Sequence, residues 1–284
     1  MRIAHLILAH SEPDQLNRLI KRLWHDDADF YIHLDLKTSI TDFLFLGNNE
    51  HVFFIKKREK VYWGAYSIVQ ATVNGFEEII KSGKHYDFIN LLSGQDYPLK
   101  TANEIHDFLK ANTGKAFMHT LSIKNEWIEA IPRVTKYHLT NYSFRGKFAI
   151  ERMLNICLPD RKMPNGLIAV GRSQWFTISF NHVKYIVDYL HQNKKVKRFF
   201  TFTWGSDEIV FQTILYNSIF REDMVNDNLR YIDWSEGKAN PKTFTIKDAD
   251  TLLHCGKLFA RKFNSKVDSA ILNFLDNAIE NNKG

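Results

Sequence analysis

Cysteine is nearly missing. Cys157 and Cys255 are the only two in 284 residues, too few to staple a secreted fold of this size, so a reducing cytoplasm is the expected setting. Proline (6) and glycine (13) are sparse and evenly scattered, which leaves no disordered tail or Pro/Gly linker and favours one continuous domain. No apolar run approaches the about 18 residues that a membrane span needs. The N-terminal run Ile3 to Ala9 is closed at once by Ser11-Glu12, and reads as a strand rather than a signal peptide. Also missing are a GxSxG elbow, a phosphate P-loop, a His-Glu-x-x-His metal helix, an internal repeat and any helix-turn-helix or RNA-binding signature. Serine-hydrolase, P-loop, zinc-protease, solenoid and nucleic-acid readings fall with them.

What is present describes a folded α/β chain. Hydrophobic residues make up 44% and charged residues 25%, enough to bury a sizeable core in one domain. Aromatics reach 14%, with 22 Phe and 11 Tyr; most must fill core, while a few suit a sugar site, because sugar rings stack on aromatic faces. The net charge of +6 comes partly from two clusters, Lys56-Lys57-Arg58 with Lys60, and Lys194-Lys195 with Lys197-Arg198. Their plain reading is solvated surface. The sharper one is attraction to an anionic nucleotide, an anionic lipid-linked substrate, or the inner membrane face as a peripheral protein.

Along the chain, hydrophobic periodicity predicts a strand over 3–9, an amphipathic helix over 12–24 and a strand over 30–34, together a βαβ unit. A strand at 52–55, a helix at 67–81, a nearly continuous apolar strand at 86–92 suited to a sheet centre, and a helix at 103–110 follow. Between Trp127 and Pro164 the period degrades into aromatic and basic residues, so 121–172 reads as a variable insertion on the acceptor side. Periodicity then predicts a strand at 174–179, helices at 181–192 and 206–216, strands at 229–234 and 243–246, and helices at 247–258 and 267–279. The division is one domain over 1–284, with halves at 1–120 and 173–284 around the insertion.

In such sheets ligands gather at the carboxyl ends of strands. Those ends read His10-Ser11-Glu12-Pro13, His33-Leu34-Asp35 and Ser93-Gly94-Gln95-Asp96-Tyr97-Pro98. The stretches Tyr31-Ile32-His33-Leu34-Asp35, Val61-Tyr62-Trp63-Gly64-Ala65-Tyr66-Ser67-Ile68-Val69-Gln70-Ala71, Tyr86 to Lys100, Ser206-Asp207-Glu208, Arg230 to Trp234 and Leu258 to Phe263 resemble successive blocks of the core-2/I-branching N-acetylglucosaminyltransferase and peptide O-xylosyltransferase family. The likeness spans nearly the whole chain except Leu121 to Leu167.

The resemblance implies an α/β protein of GT-A type, with a mostly parallel central sheet flanked by helices. It implies a UDP-sugar donor, inversion at the anomeric carbon, and no metal or other cofactor. Each implied residue also has a plainer role. Glu208, in the first turn of a helix that Ser206 would cap, could merely complement the helix dipole; the resemblance makes it the general base, with Asp207 as the alternative. Lys262 corresponds to the family's diphosphate-binding lysine, and Lys242 fits the second cation better than Lys238. Asp35 matches the aspartate that accepts from uridine, and Trp63, Ser67 and Asp96 are placed on the donor side, although Trp63 could equally be core. The pairs Asp27-Ala28-Asp29 and Asp248-Ala249-Asp250 imitate a GT-A metal motif. The first precedes a strand rather than ending one. The second sits in a Thr245-x-x-Asp248 capping box at a helix start.

The expected activity is transfer of N-acetylglucosamine or xylose to a hydroxyl of a glycan or glycolipid, forming a β-linkage. Without the stem, anchor and cysteines of the animal family members, the chain is expected to be bacterial and to serve cell-surface glycan assembly. The rivals are a non-catalytic nucleotide- or carbohydrate-binding protein on the same fold and a metal-dependent transferase using Asp248 and Asp250.

Overall fold

Strand β1 (Ile3–Ala9) is buried along its whole length, and its side chains explain why. Ala4, Leu6 and Leu8 point into one hydrophobic cluster, whereas Ile3, Ile7 and Ala9 point into another. Strands α-covered on both faces read as unbroken apolar runs, since alternate side chains meet core on either side. β2 (Ala28–Leu34) and β4 (Phe88–Ser93) follow the same rule. The computed structural model describes residues 1–281.

The main sheet has seven strands in the order β3-β2-β1-β4-β7-β6-β8, with β3 at Val52–Phe54, β6 at Ala116–Ser122, β7 at Val170–Ser179 and β8 at Met224–Val225. β7 alone runs against its neighbours, so the sheet is mostly parallel as expected. Helices α1 (Pro13–Arg22) and α3 (Ala102–Ala111) are amphipathic; Leu16, Leu19 and Ile20 of α1 and Ile105 and Leu109 of α3 enter one cluster. Helix α2 (Tyr66–Lys81) covers the other, lying so close to β1 that a Cβ on Gly75 would sit 2.5 Å from Leu6. A three-stranded sheet, β5 (Asp96–Pro98), β10 (Phe259–Arg261) and β9 (Arg230–Ile232), stands beside it.

Segment 121–172 is less of an insertion than its pattern suggests. It begins inside β6 and ends inside β7, which pair with each other in the main sheet. Between them lie α4 (Ile131–Thr135) and α5 (Lys147–Cys157). After β7 come α6 (Phe180–Gln192), α7 (Lys194–Thr201) and α8 (Val210–Tyr216). The basic cluster at Lys194 is therefore a helix of its own, buried through Val196 and Phe200.

Three predicted elements need correction. The helix expected over 206–216 is a 3-10 turn, Ser206–Glu208, followed by a break at Ile209 and then α8. Residues 243–246 form no strand; Phe244 is buried and its N–H donates to the Lys262 carbonyl at 2.9 Å. The helix expected to reach Leu258 ends at His254 in α9 (Ala249–His254), because Gly256 turns left-handed at φ 70° and leads into β10. α10 (Ala270–Asn281) closes the chain.

Candidate active site

A cleft of about 1030 Å³ opens at the carboxyl ends of β1, β2 and β4. β1 lies between β2 and β4, so this is where the strand order switches, the position at which open α/β sheets bind ligands. Because β7 is reversed, its amino end delivers Arg172, Ser173, Gln174 and Trp175 to the same rim.

One wall is built by the first half of the chain. Asp35, just past β2, lines the cleft and is only 6% exposed. Its Oδ1 accepts the Lys37 N–H at 2.9 Å, and the Lys37 ammonium lies 3.3 Å from Oδ2. The Arg58 guanidinium pins this strand end by donating to the carbonyls of Leu34, Asp35 and Thr38. His33 accepts the Glu59 N–H through Nε2 at 2.9 Å, and burial pushes its pKa down to about 4, which keeps the ring neutral and able to accept. Trp63 also faces the cleft, 65% exposed, and is not core.

The floor comes from the small sheet. Arg261 and Lys262 both line the cleft. Arg261 is oriented by Asp96, whose Oδ1 accepts from its guanidinium at 2.8 Å, and lies over the Trp175 ring at 4.4 Å. Asp96 itself is fully buried, held by the Ser93 N–H at 2.9 Å, and serves the cleft only through Arg261. Burial, and secondarily the charge of Arg261, lowers the Lys262 pKa. Arg261, directly before Lys262 in the same sequence block, is a further cation at this floor that the sequence expectations did not include.

Two donor-side expectations are displaced. Lys242 does not line the cleft: its ammonium is 2.5 Å from Asp248 and 3.9 Å from Asp233. Lys238, ranked behind it, does line the cleft. The Ser67 hydroxyl accepts the Tyr62 N–H at 2.9 Å and stays outside the cleft lining, because it fastens the turn that carries Trp63. Asp27 and Asp29 stand at the opposite, amino end of β2, where Asp29 meets Arg2, His51, Lys84 and Tyr86. The predicted Thr245–Asp248 capping box is present.

Glu208 and Asp207 occupy the facing wall, and both line the cleft even though adjacent helical positions should diverge. The difference is the 3-10 turn. Ser206 does not cap it: its hydroxyl is buried without a hydrogen-bond partner, and the turn is entered through Gly205 at φ 64°. Gly205 donates its N–H to the Gly64 carbonyl at 2.8 Å, so the Trp204 and Trp63 loops are joined, their indoles edge-to-face at 5.3 Å. Underneath, Gly171 of β7 lies flat against the turn; a Cβ there would be 2.1 Å from the Glu208 carbonyl oxygen.

The residue that sequence reasoning missed is Arg133. It belongs to α4, inside the supposed insertion, yet it lines the cleft and its Nη1 is 2.6 Å from Glu208 Oε2. Its guanidinium lies 4.6 Å from the Trp127 ring and 4.2 Å from the Trp204 ring, contacts that order the long side chain. No periodic pattern marks it.

Electrostatics separate the two acids. Burial first, and then the charge of Glu208, pushes the Asp207 carboxyl up to about 7, and its Oδ1 has no hydrogen-bond partner. Burial also raises Glu208, but Arg133 opposes the rise by stabilising the carboxylate. One proton shared by the pair therefore resides on Asp207 below neutral pH. The native state holds that proton where the unfolded chain has released it, so Asp207 costs stability increasingly as pH rises from its ordinary value towards 7. Asp207→Asn removes the penalty: its melting temperature should exceed that of the parent by more at pH 8 than at pH 5. A gain independent of pH in thermal melts would refute this assignment of the proton.

The model of the core-2/I-branching enzyme family matches residues 3–253. Rat xylosyltransferase 2 is 27% identical over 97% of this chain and 33% of its own length. Rat xylosyltransferase 1 is 24% identical over 99% of this chain and 36% of its own. The chain thus spans about a third of the length of the curated relatives it matches. Among solved structures, apo mouse xyloside xylosyltransferase 1 aligns over 91% of this chain and 97% of its own, at TM-score 0.37 and 11% identity.

Proposed function

Since this chain belongs to the core-2/I-branching enzyme family, we propose that it is an inverting, metal-independent glycosyltransferase of GT-A type that moves a sugar from UDP to an acceptor hydroxyl. The donor sugar is N-acetylglucosamine or xylose, and the acceptor is a glycan or glycolipid. The observation that carries the reading is a single cleft lined on one side by Asp35, on its floor by Arg261 and Lys262, and opposite by Glu208.

Asp35, its carboxylate already ordered by Lys37, accepts from the uridine. Arg261 and Lys262 meet the diphosphate, whose negative charge grows as the bond to the sugar breaks; fixed cations lower that barrier because they need no reorganisation. Glu208 takes the proton from the acceptor hydroxyl while its oxygen attacks the anomeric carbon, UDP leaves with the bonding electron pair, and a single displacement inverts the centre. Glu208 is favoured over Asp207 as the base because Arg133 opposes the rise that burial imposes on its carboxyl, whereas nothing comparable pairs with Asp207, which is pushed up to about 7.

Metal independence rests on what the candidate ligands already do. Both Asp248 oxygens are engaged, one by Lys242 and the other by the Thr245 N–H and hydroxyl, and Asp250 pairs with His254 on the surface. A screen of UDP-sugars for hydrolysis, followed by an acceptor array with the best donor, tests the activity. Transfer should continue in excess EDTA; loss on chelation with recovery in manganese would overturn metal independence, and an absence of hydrolysis and binding for every UDP-sugar would favour a different ligand altogether. Within this reading, Lys262→Ala should weaken UDP by about 1.5–3 kcal/mol through loss of a charge-assisted hydrogen bond, without change in melting temperature. Equal affinities by titration calorimetry would take Lys262 out of the site.

A further inference from the structure

Helix α5 is inside out. None of its residues is buried. The side turned to the protein is polar: Glu151 accepts the Leu139 N–H at 2.7 Å, and Asn155 accepts the Tyr137 N–H at 2.7 Å while donating to the Tyr137 carbonyl at 2.9 Å. The side turned outward is apolar, with Phe148 76%, Ile156 73% and Met153 56% exposed. Just before and after the helix, Phe144 and Leu158 are exposed as well. A helix that spends its polar groups on its own protein and leaves Phe, Met and Ile to water is stable only as a surface that something else covers, since isolated apolar side chains are ordinary but a contiguous run of them is not.

Charge identifies the cover. Arg145, Lys147, Arg152 and Lys162 stand in and around this segment with no carboxylate partner among the described residues, whereas its two acids are already engaged, Glu151 inward and Asp160 with Lys136. The Lys147 ammonium lies 4.8 Å over the Phe148 ring, a cation–π contact that keeps a positive charge beside the exposed aromatic. Two copies of this face brought together would oppose these cations. A bilayer with anionic headgroups takes both parts at once, apolar side chains into the headgroup boundary and cations onto the phosphates. Helix α7, with exposed Lys194, Lys195 and Arg198, is tied to the residues after α5 through Arg161, which donates to the Phe202 carbonyl at 2.6 Å and the Thr203 hydroxyl at 3.2 Å.

We propose that the outward face of α5 is a docking surface for an anionic membrane, binding through Phe148, Met153 and Ile156 with Arg145, Lys147, Arg152 and Lys162 around them. No helix among the described residues is long and apolar enough to cross a membrane, so the attachment is to the surface. The inference stands apart from the chemistry of the cleft: α5 does not line it, and binding to lipid is read without turnover. It also gives the cleft a location, because segment 137–141, to which α5 is bonded, contacts the Trp63 and Trp204 loops through Asn141, which accepts the Ser67 N–H at 3.1 Å and donates to the Thr201 carbonyl at 2.5 Å.

The test is co-sedimentation of the full chain with vesicles of phosphatidylcholine, alone or with about 30% phosphatidylglycerol, at low and high salt. The full chain should bind the anionic vesicles and lose them as salt rises. Phe148→Ser combined with Ile156→Ser should weaken the partition coefficient by at least about tenfold. Arg145→Gln combined with Arg152→Gln should weaken it by about fivefold per charge removed, at low salt only. All four positions are exposed, and a circular dichroism melt coincident with the parent confirms that the variants fold. Absence of binding to anionic vesicles, or binding unchanged in both double variants, overturns the proposal. So does a concentration-dependent dimer, seen by light scattering, that the Phe148→Ser, Ile156→Ser variant abolishes, since the cover is then a second copy.

Discussion

Glu208→Gln is expected to reduce transfer by about 10²- to 10⁴-fold, the usual contribution of a general base, and to leave UDP affinity within about twofold of the parent. The substitution keeps the size of the side chain and removes its basicity. It also replaces a carboxylate that Arg133 holds at 2.6 Å by a neutral amide, so the guanidinium loses its charge partner but keeps both indole faces. The pH profile supplies a second readout. Burial raises the Glu208 pKa and Arg133 restrains it, so transfer should rise with pH through the value at which the carboxylate forms and then level off. Single-turnover rates with saturating donor, beside UDP titrations, separate the two effects. A Gln variant that transfers at near the parental rate would reduce Glu208 to a partner of Arg133 and make Asp207→Asn the decisive kinetic variant.

Gly171→Ala should be nearly as damaging although the side chain touches no substrate. The added methyl would lie 2.1 Å from the Glu208 carbonyl oxygen and 2.8 Å from the Ile209 Cα, both backbone atoms of the turn that presents the acids. Neither can rotate aside, so the turn must move. Overpacking of this kind costs about 1–3 kcal/mol of stability, and displacement of a catalytic group by about 1 Å can cost on the order of 100-fold in rate. The measurable pattern is a folded protein with a lowered melting temperature, near-parental UDP binding and transfer down by about two orders of magnitude. Parental activity in a protein with parental stability would show that the turn adapts, and that Gly171 does not fix Glu208.

The main sheet was readable because its strands are buried on both sides: 3–9 and 86–92 are nearly continuous apolar runs, broken only by His5 and by Asp87 and Asn90. Helices with one apolar stripe, 13–22 and 180–192, were readable for the same reason. What escaped were elements whose partners are distant in sequence. β10 is three residues long and is a strand only because β5 and β9 flank it, 165 and 29 positions away at the Arg261–Asp96 and Arg261–Ile232 pairs. β6 and the helices between it and β7 are set by tertiary contacts rather than by period.

The site divides in the same way. Asp35, Trp63, Lys262, Asp207 and Glu208 sit in blocks with a recognisable local pattern and do converge on one cleft. Lys242, equally plausible on spacing, is drawn away by Asp248, an attraction that depends on where the capping box of α9 falls. Arg133 could not have been found from its neighbours, because its role follows from two tryptophans at 127 and 204 that close around it only in the fold.

The bond from the Gly205 N–H to the Gly64 carbonyl has a consequence for how substrates arrive. Gly64 belongs to the half of the chain that carries Asp35, and Gly205 to the half that carries Glu208. These halves also share one continuous sheet through the β4–β7 ladder. A hinge that parted them would have to break both the ladder and the bond at the rim. The Trp63 indole, exposed at this rim, packs edge-to-face on Trp204 at 5.3 Å. Access to the cleft then needs no parting of these two halves.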